Sequence, residues 1–476
     1  MTSDLSYFFN PKSCAIIGAT DSPKFGYFQT NYLIGSGKFK IYPVHIKKET
    51  ILGQKAYKNI KDIPDDVELS LVLVPMRNVL QVVSECIEKG VKGIIIESAG
   101  FTETGREEET KLQNKISKIA KDTGVRIIGP NCVGVSDVYT KFSTSGSDLS
   151  NVKTGNISII AQSGVLGNIV IDWARGNGFG FNKVITLGNK ADVDEIDVIE
   201  YLMTDEKTKA IAVYLEGVKI GNETRFRNVL SKVTKKKPII IVKNGRSEIG
   251  SKAAFSHTGS IAGSDFVYDS LFKQIGVIRA NNFYQLFDFA RVFASQPMPK
   301  GDRIAIITSS GSLGILTCDE ISKLGLKLAR FSDETIEKLE KKAYPKFNWV
   351  SSLKNPVDIG PAGPELMTYS IKNVLNDENV DALIMIIVIP EQVLDVTDDT
   401  DQSISKEMFK MYTKVIAKNG IGKTKIICTF SSPLLSSIIR SAGEAYNIPV
   451  ISSMQQAVKC IKAMLEYRKY LEKEVN

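Results

Sequence analysis

The segment Asn244–Asp265 (NGRSEIGSKAAFSHTGSIAGSD) holds four glycines, five serines and His257, one of only two histidines in the chain. A long small-residue stretch of this kind is either functional or disordered. Its alanine and glycine content argues against charge-driven disorder. A neutral imidazole can attack phosphorus while a carboxylate orients its other ring nitrogen. Glu216, which interrupts an apolar strand end (AVYLEG), could be that carboxylate; a solvated surface acid is the plainer reading. Gln162-Ser163-Gly164 precedes the helical stretch Val165–Arg175. Free N–H groups and the positive dipole end at such a start make a phosphate site. A serine there is more commonly a simple N-cap, and a lone histidine is more often incidental than catalytic. Taken together, the three features are as compatible with phosphoryl transfer as with an incidental histidine beside a solvated acid.

Other small-residue runs stand where strands should end: Gly18-Ala19-Thr20, Pro43-Val44-His45-Ile46-Lys47, Pro75-Met76, Ser98-Ala99-Gly100-Phe101 and Pro130-Asn131-Cys132. Open α/β sheets bind ligands beyond the carboxyl ends of their strands. Lys24, Lys47 and Lys48 offer charge to phosphate, although lysines on an exposed loop are usually just solvated. The dinucleotide fingerprint fails, because Gly18 to Gly26 reads GATDSPKFG rather than GxGxxG. Lys47 stands where an acid would hold a ribose hydroxyl, which disfavours a nicotinamide oxidoreductase and suits a phosphorylated ribose. His45 fits a structural or ligand-contact role better than a catalytic one.

The elements that must position these residues alternate between short β-rich runs and amphipathic helical stretches, the pattern of parallel α/β domains. Strands are expected near 14–17, 40–44, 69–74, 93–96 and 125–128, with helices at Val79–Lys89 and Glu107–Asp122 followed by Gly90 and Gly124 as left-handed caps. The Ser/Thr/Gly-rich stretch Thr140–Asn156 reads as a linker. A second block has strands near 157–161, 183–187, 210–215 and 238–243, and breaks at Ser295–Asp302. A third has strands near 303–308, 382–389 and 425–430 and a closing helix at Gln455–Glu472. Each block opens with an apolar strand running into small polar residues (CAII-GAT, ISIIA-QSG, RIAII-TSSG). The expected fold class is therefore α/β, with three parallel-sheet nucleotide-fold domains at 1–140, 152–295 and 302–476.

Composition is ordinary for a soluble globular chain of 476 residues, with 43% apolar and 24% charged residues. The net charge of +8 suits small anionic ligands and is too dispersed for a nucleic-acid protein. No apolar run approaches the ~20 residues needed to span a bilayer; Ala382–Ile389 is stopped by Pro390. The start, MTSDLSYFF, is not a signal peptide. Six cysteines without a CxxC pair suggest neither disulfides nor a zinc site, and no metal site is expected. A cytoplasmic location follows as the expectation.

The run Ser256-His257-Thr258-Gly259-Ser260-Ile261-Ala262-Gly263-Ser264-Asp265 resembles the phosphohistidine loop of the α subunits of ADP-forming (NDP-forming) acyl-CoA synthetases, in the succinyl-CoA ligase superfamily. Gln162-Ser163-Gly164, Leu187-Gly188-Asn189-Lys190-Ala191-Asp192, Tyr214-Leu215-Glu216-Gly217 and Gly129-Pro130-Asn131-Cys132 are also similar to that family's motifs. The resemblance covers essentially the whole chain. It implies a Rossmann-like CoA-binding domain followed by two flavodoxin-like ligase domains, and the reversible reaction of acyl-CoA, ADP and phosphate to acid, CoA and ATP. An acyl phosphate would form first and pass its phosphoryl group to His257, steadied by Glu216. Gln162, Ser163 and Gly164 would hold phosphate. CoA would contact Gly18, Ala19, Thr20, Lys47, Pro75, Ser98, Ala99, Asn131 and Cys132.

The resemblance further implies an ATP-grasp unit binding ADP or ATP with Mg2+. The 476-residue chain has no room for that unit, so a separate β subunit in an α2β2 assembly is expected. A small carboxylic acid or its acyl-CoA would be the other substrate, with no nucleic acid and no membrane. A non-catalytic CoA-sensing or scaffold protein of the same fold is the alternative, against which the His257, Glu216 and Ser163 set argues. Three runs depart from the family pattern: Thr308-Ser309-Ser310-Gly311-Ser312-Leu313-Gly314, Ile359-Gly360-Pro361-Ala362-Gly363 and Pro43-Val44-His45-Ile46.

Overall fold

The first apolar run, Ser13–Ile17 (SCAII), is buried at all five positions, because it becomes an inner strand of a parallel sheet covered on both faces. In this computed structural model the described residues are 4–250, 265–344, 346–347, 350, 352–360, 362–388, 390 and 399–475. They divide into two units, Met1–Asn282 and Phe283–Asn476.

The first sheet uses β1 (Ser13–Ile17), β2 (Lys40–Val44), β5 (Leu69–Val72), β6 (Gly93–Ile96) and β7 (Arg126–Ile128) in the order β2-β1-β5-β6-β7, all parallel. A small hairpin of β3 (Thr50–Ile51) and β4 (Gln54–Lys55) follows β2. Beyond it Tyr57 makes one parallel bridge to Val44. Counting that stub as a strand, the spatial order becomes 3-2-1-4-5-6, the doubly wound dinucleotide order. Helices α1 (Tyr27–Gly35), α2 (Met76–Glu88) and α3 (Glu107–Thr123) connect the strands. On α2 the residues Val79, Val82, Val83 and Cys86 are buried, one apolar stripe at helical spacing. Gly124 caps α3 at φ +77, the left-handed conformation expected of it.

The second sheet comprises β8 (Val135–Asp137), β9 (Phe142–Ser143), β10 (Ile157–Ala161), β11 (Lys183–Thr186), β12 (Ala210–Leu215), β13 (Ile239–Lys243) and β14 (Ile278–Ala280), ordered β14-β13-β12-β10-β11-β8-β9. Its five parallel strands follow the flavodoxin order, with α4 (Gly164–Asn177), α5 (Glu195–Thr204) and α6 (Glu223–Thr234) among the connections. The pair β8–β9 is antiparallel and closes the β11 edge. The stretch expected as a linker is therefore partly sheet. Its hydroxyls satisfy one another in the interior: Ser136 with Ser143 at 2.7 Å and Ser143 with Ser145 at 2.9 Å. A composition that reads as loop is thus buried by mutual hydrogen bonding. One hydrophobic cluster runs through both sheets, joining Ile16, Leu71 and Ile95 to Ile160, Ile185 and Ile211.

In the second unit β15 (Arg303–Thr308), β16 (Lys327–Leu328), β17 (Val357–Asp358), β18 (Ala382–Ile387), β19 (Thr424–Thr429) and β20 (Val450–Ile451) form a parallel sheet of order β16-β15-β18-β19-β20, with β17 also paired to β15. Asn355 pins this edge: its side chain accepts from Ile306 N–H at 2.9 Å and donates to Ile304 and Ala329 carbonyls at 2.8 and 2.9 Å. The helix Phe283–Ser295 belongs to this unit, although the sequence break follows it. In all three sheets the opening strand (β1, β10, β15) lies where the strand order reverses. No helix among the described residues is long and apolar enough to cross a membrane.

The loops at the strand ends of the first two sheets meet backbone to backbone. Asn189 N–H donates to Pro130 O at 2.9 Å, and Ala191 N–H to Gly129 O at 2.8 Å. Gly188 has φ +56, and a Cβ there would lie 2.2 Å from Pro130 O. Gly188→Ala should therefore destabilise the first unit by about 2 kcal/mol or more. Gly176→Ala, in open space on α4, should leave the urea midpoint unchanged or raise it by the helix propensity of alanine.

Candidate active site

The order of the second sheet reverses between β10 and β12, so the ends of these strands flank a crevice. From β10 comes Gln162-Ser163-Gly164. Ser163 occupies the N-cap position of α4, yet its hydroxyl makes no capping bond, and the first turn carries no acid. Ser163 therefore stands at the N-cap without a side-chain cap to the first-turn N–H groups. From β12 comes Glu216-Gly217. Gln162 Oε1 accepts from Glu216 N–H at 3.2 Å, which ties the two ends together.

Lys190, from the loop after β11, reaches into the same place. Its buried ammonium donates to Gly217 O at 2.8 Å, Glu195 Oε2 at 3.0 Å and Gln162 Oε1 at 3.4 Å. Glu195 Oε1 has no hydrogen-bond partner among the described residues. The Glu216 carboxylate is buried and accepts from the Tyr214 hydroxyl at 3.2 Å. Asn244 Nδ2 donates in turn to Tyr214 Oη. Burial raises the Tyr214 pKa far above the ordinary phenol value, and the neighbouring Glu216 adds to that, so the phenol remains a neutral donor. Asn244 opens the segment that contains His257, and its N–H donates to Leu215 O at 3.0 Å, beside Glu216. His257 itself, with the rest of 251–264, lies outside the described residues.

Along the first sheet, Gly18-Ala19-Thr20 follow β1, Lys47 follows β2, Pro75 caps the start of α2 after β5, Ser98-Ala99 follow β6, and Asn131-Cys132 follow β7. All stand on one carboxyl edge. Pro75, Ala99 and Lys47 are exposed, whereas Ala19, Ser98 and Cys132 are buried, so what these three can offer a ligand is backbone. The Cys132 thiol donates to Ile96 O at 3.3 Å, and burial raises its pKa well above the free-thiol value. It is a packed thiol, not a thiolate nucleophile. At Gly18, with φ +91, a Cβ would meet Leu73 O at 2.7 Å, so only glycine lets this turn lie flat across the end of β5.

The two edges adjoin. A Cβ on Gly164 would lie 3.5 Å from the Cys132 and Val133 backbone, and Val133 N–H donates to Thr186 Oγ1 at 3.0 Å. Asn131 Nδ2 donates to Asn189 Oδ1 at 3.3 Å, while Asn189 Nδ2 donates to Glu103 and Gln113 at 2.6 and 2.9 Å. Sequence reasoning missed Lys190, Tyr214 and Asn244 as supports, and missed Glu97 altogether. Glu97 is buried at the end of β6, accepts from Gln29 Nε2 at 2.7 Å, and leaves Oε1 without a partner among the described residues. Burial pushes its pKa up to about 8, against the pull of the Gln29 hydrogen bond. Among the described residues no group of three or more His, Cys, Asp or Glu could hold a metal ion.

In the second unit the atypical run after β15 is tied to the end of β18. The Ser309 hydroxyl donates to Val388 O at 2.9 Å and accepts from Val388 N–H at 3.1 Å. A Cβ on Gly311 would meet Asp358 Oδ2 at 2.7 Å.

Comparison with known proteins adds family evidence. Residues 12–137 match the family described as CoA binding domain, and 154–293 match the succinyl-CoA ligase like flavodoxin domain. The α subunit of Pyrococcus furiosus ADP-forming acetate–CoA ligase II is 46% identical over 388 residues, 81% of this chain and 83% of that one. The α subunit of ADP-forming acetate–CoA ligase I from the same organism is 38% identical over 477 residues, 98% and 99% of the two chains. The solved structure of Ca. Korarchaeum cryptofilum dinucleotide forming acetyl-coenzyme A synthetase 1, in complex with phosphate and ADP, aligns with a TM-score of 0.88 at 29% identity over 99% of each chain.

Two stability measurements follow from this geometry. Lys190→Met strands Glu195 as a buried carboxylate and should cost about 3–5 kcal/mol. Adding Glu195→Gln should recover part of that loss, with a coupling of about 1 kcal/mol or more in the double-mutant cycle. Glu97 binds its proton more tightly folded than unfolded, so its contribution falls as pH rises from about 4.5 to about 8 and is flat above. Relative to wild type, Glu97→Gln should therefore gain stability across that window, by on the order of a few kcal/mol. A parallel pH dependence of the two proteins in urea unfolding would contradict this.

Proposed function

The chain belongs to the family of α subunits of ADP-forming acetate–CoA ligases, which are acid–thiol ligases, and on that premise we propose how its own residues run the reaction. The reaction is the reversible conversion of acyl-CoA, ADP and phosphate into acid, CoA and ATP, by way of an acyl phosphate and a phosphohistidine at His257. The observation that carries this reading is the meeting of the two strand-end edges, with the start of α4 packed against the Cys132–Val133 backbone. A shelf of backbone and small side chains with an exposed lysine loop suits a long polyanion such as CoA. The uncapped start of α4 suits phosphate. Their proximity suits a reaction between the two ligands.

In the first step a phosphate oxygen attacks the acyl carbonyl and the C–S bond breaks, releasing CoA. The imidazole of His257 then attacks phosphorus, and the acid departs with its bridging oxygen. Such transfer needs in-line positioning more than covalent assistance. The buried Glu216 carboxylate, itself fixed by Tyr214 and Asn244, has the surroundings of a group that holds an imidazole tautomer and offsets its developing positive charge. Phosphohistidine would pass its phosphoryl group to ADP on a separate ATP-grasp β subunit, which would also hold Mg2+, in an α2β2 assembly. The acid would be a small carboxylic acid.

The test is incorporation of labelled phosphate into the chain with its β subunit, by acyl-CoA and phosphate or by ATP. Wild type should take up an acid-labile, base-stable label, and His257→Ala none. Glu216→Gln should slow labelling by on the order of 10²–10⁴-fold while retaining CoA binding. Equal labelling of wild type and His257→Ala would refute the mechanism.

A further inference from the structure

The loop after β2 is organised by an imidazole. His45 Nδ1 accepts from Lys47 N–H at 3.1 Å and from Lys48 N–H at 3.0 Å. The His45 backbone N–H donates to Tyr57 O at 2.9 Å, which anchors the residue to the strand stub on the other side. Lys48 is paired with Asp21 and so ties this loop to the one after β1. We propose that His45 is a positioning residue for the lysines of the anion site, capping the Lys47–Lys48 turn through an unprotonated Nδ1 and releasing it when the imidazole becomes charged. The proposal rests on the reading that this edge binds CoA.

An acceptor that takes two N–H donors cannot itself carry a proton, so the neutral ring must hold its hydrogen on Nε2. In this role Nδ1 does what an asparagine Oδ1 does in an Asx turn, with the difference that it titrates near neutrality. The charged groups acting on the ring are Lys48 and Lys47 of its own loop and Asp21 from the loop after β1. Partial burial and then Lys48 hold its pKa below the ordinary histidine value, with Asp21 opposing and Lys47 adding. The neutral form is therefore the structured one. Its contribution is complete above the unfolded pKa of about 6.5 and is lost as pH falls through the lower folded value. Protonation sets a third N–H against two others and breaks both hydrogen bonds.

A bare cation and a turn cap predict opposite signs. If His45 merely supplied charge, acid would tighten binding of an anionic ligand. As a cap, acid should weaken it. The experiment uses the full chain, ¹⁵N-labelled at histidine. With only two histidines present, His257→Ala assigns both resonances. His45 should appear as the Nε2–H tautomer with a pKa below about 6.5. Calorimetric CoA affinity should then be measured near pH ~7.5 and pH ~5.5, either side of the imidazole titration, for wild type, His45→Asn and His45→Ala. Asparagine should rescue the turn at both pH values, and alanine at neither. The acid-induced weakening in wild type should exceed that in His45→Asn by on the order of fivefold, the scale of one or two lost hydrogen bonds. The asparagine variant shares any titration of the ligand's own phosphates and so subtracts it. An Nδ1–H tautomer, identical pH profiles for wild type and His45→Asn, or tighter wild-type binding in acid would overturn the proposal. Failure of wild type to bind CoA at either pH would overturn the CoA reading beneath it, while the tautomer would still report on the turn.

Discussion

The Lys190 ammonium is the charge around which the candidate site is built. A buried cation must be matched by acceptors or the fold loses several kcal/mol. Here the acceptors are Glu195, Gln162 and the Gly217 carbonyl, and they come from three different connections of the second sheet. Satisfying one charge therefore fixes the ends of β10 and β12 against each other. Gln162 completes the tie by accepting from the backbone of Glu216. The orientation of the Glu216 carboxylate and the accessibility of the α4 start both depend on this arrangement. Ser163 spends no side-chain hydrogen bond on that start.

The contact between the first two sheets follows a different rule, that of backbone approach. Gly188 stands where a side chain would strike the Pro130 carbonyl oxygen. Glycine at this point lets two strand-end edges come together without an intervening layer of side chains. The seam is then closed by amide side chains, Asn131 and Asn189, and by Arg126 bridging Asp192 and Asp197 at 2.9 Å each. With a hydrophobic cluster common to both sheets, the two strand-end edges belong to one unit.

The parallel strands were legible in the sequence because a strand covered on both faces reads as an uninterrupted apolar run. Lys40–Val44, Gly93–Ile96, Ile157–Ala161, Ala210–Leu215 and Arg303–Thr308 occur at the bounds their composition suggests. Short or edge elements did not announce themselves. The pair β8–β9 is rich in serine and looks like a loop until its hydroxyls find one another. The Tyr57 stub is a single residue. The Ser295–Asp302 break is a true turn of composition, yet the helix before it packs into the second unit, because helix burial depends on which neighbour covers its apolar face.

By itself the sequence determined the fold class and the family, through local patterns: hydrophobic runs, small residues after them, and the ten-residue histidine motif. Those signals are local because backbone conformation and burial periodicity are properties of neighbouring residues. Only the tertiary structure decided which distant groups meet. Gln29 and Glu97 are 68 residues apart, Gln162 and Glu216 are 54 apart, and Asn244 lies 30 beyond Tyr214. Nothing in the spacing of these residues marks them as pairs. Their hydrogen bonds, and the burial that raises the Glu97 pKa, exist because sheet order brings the strands side by side.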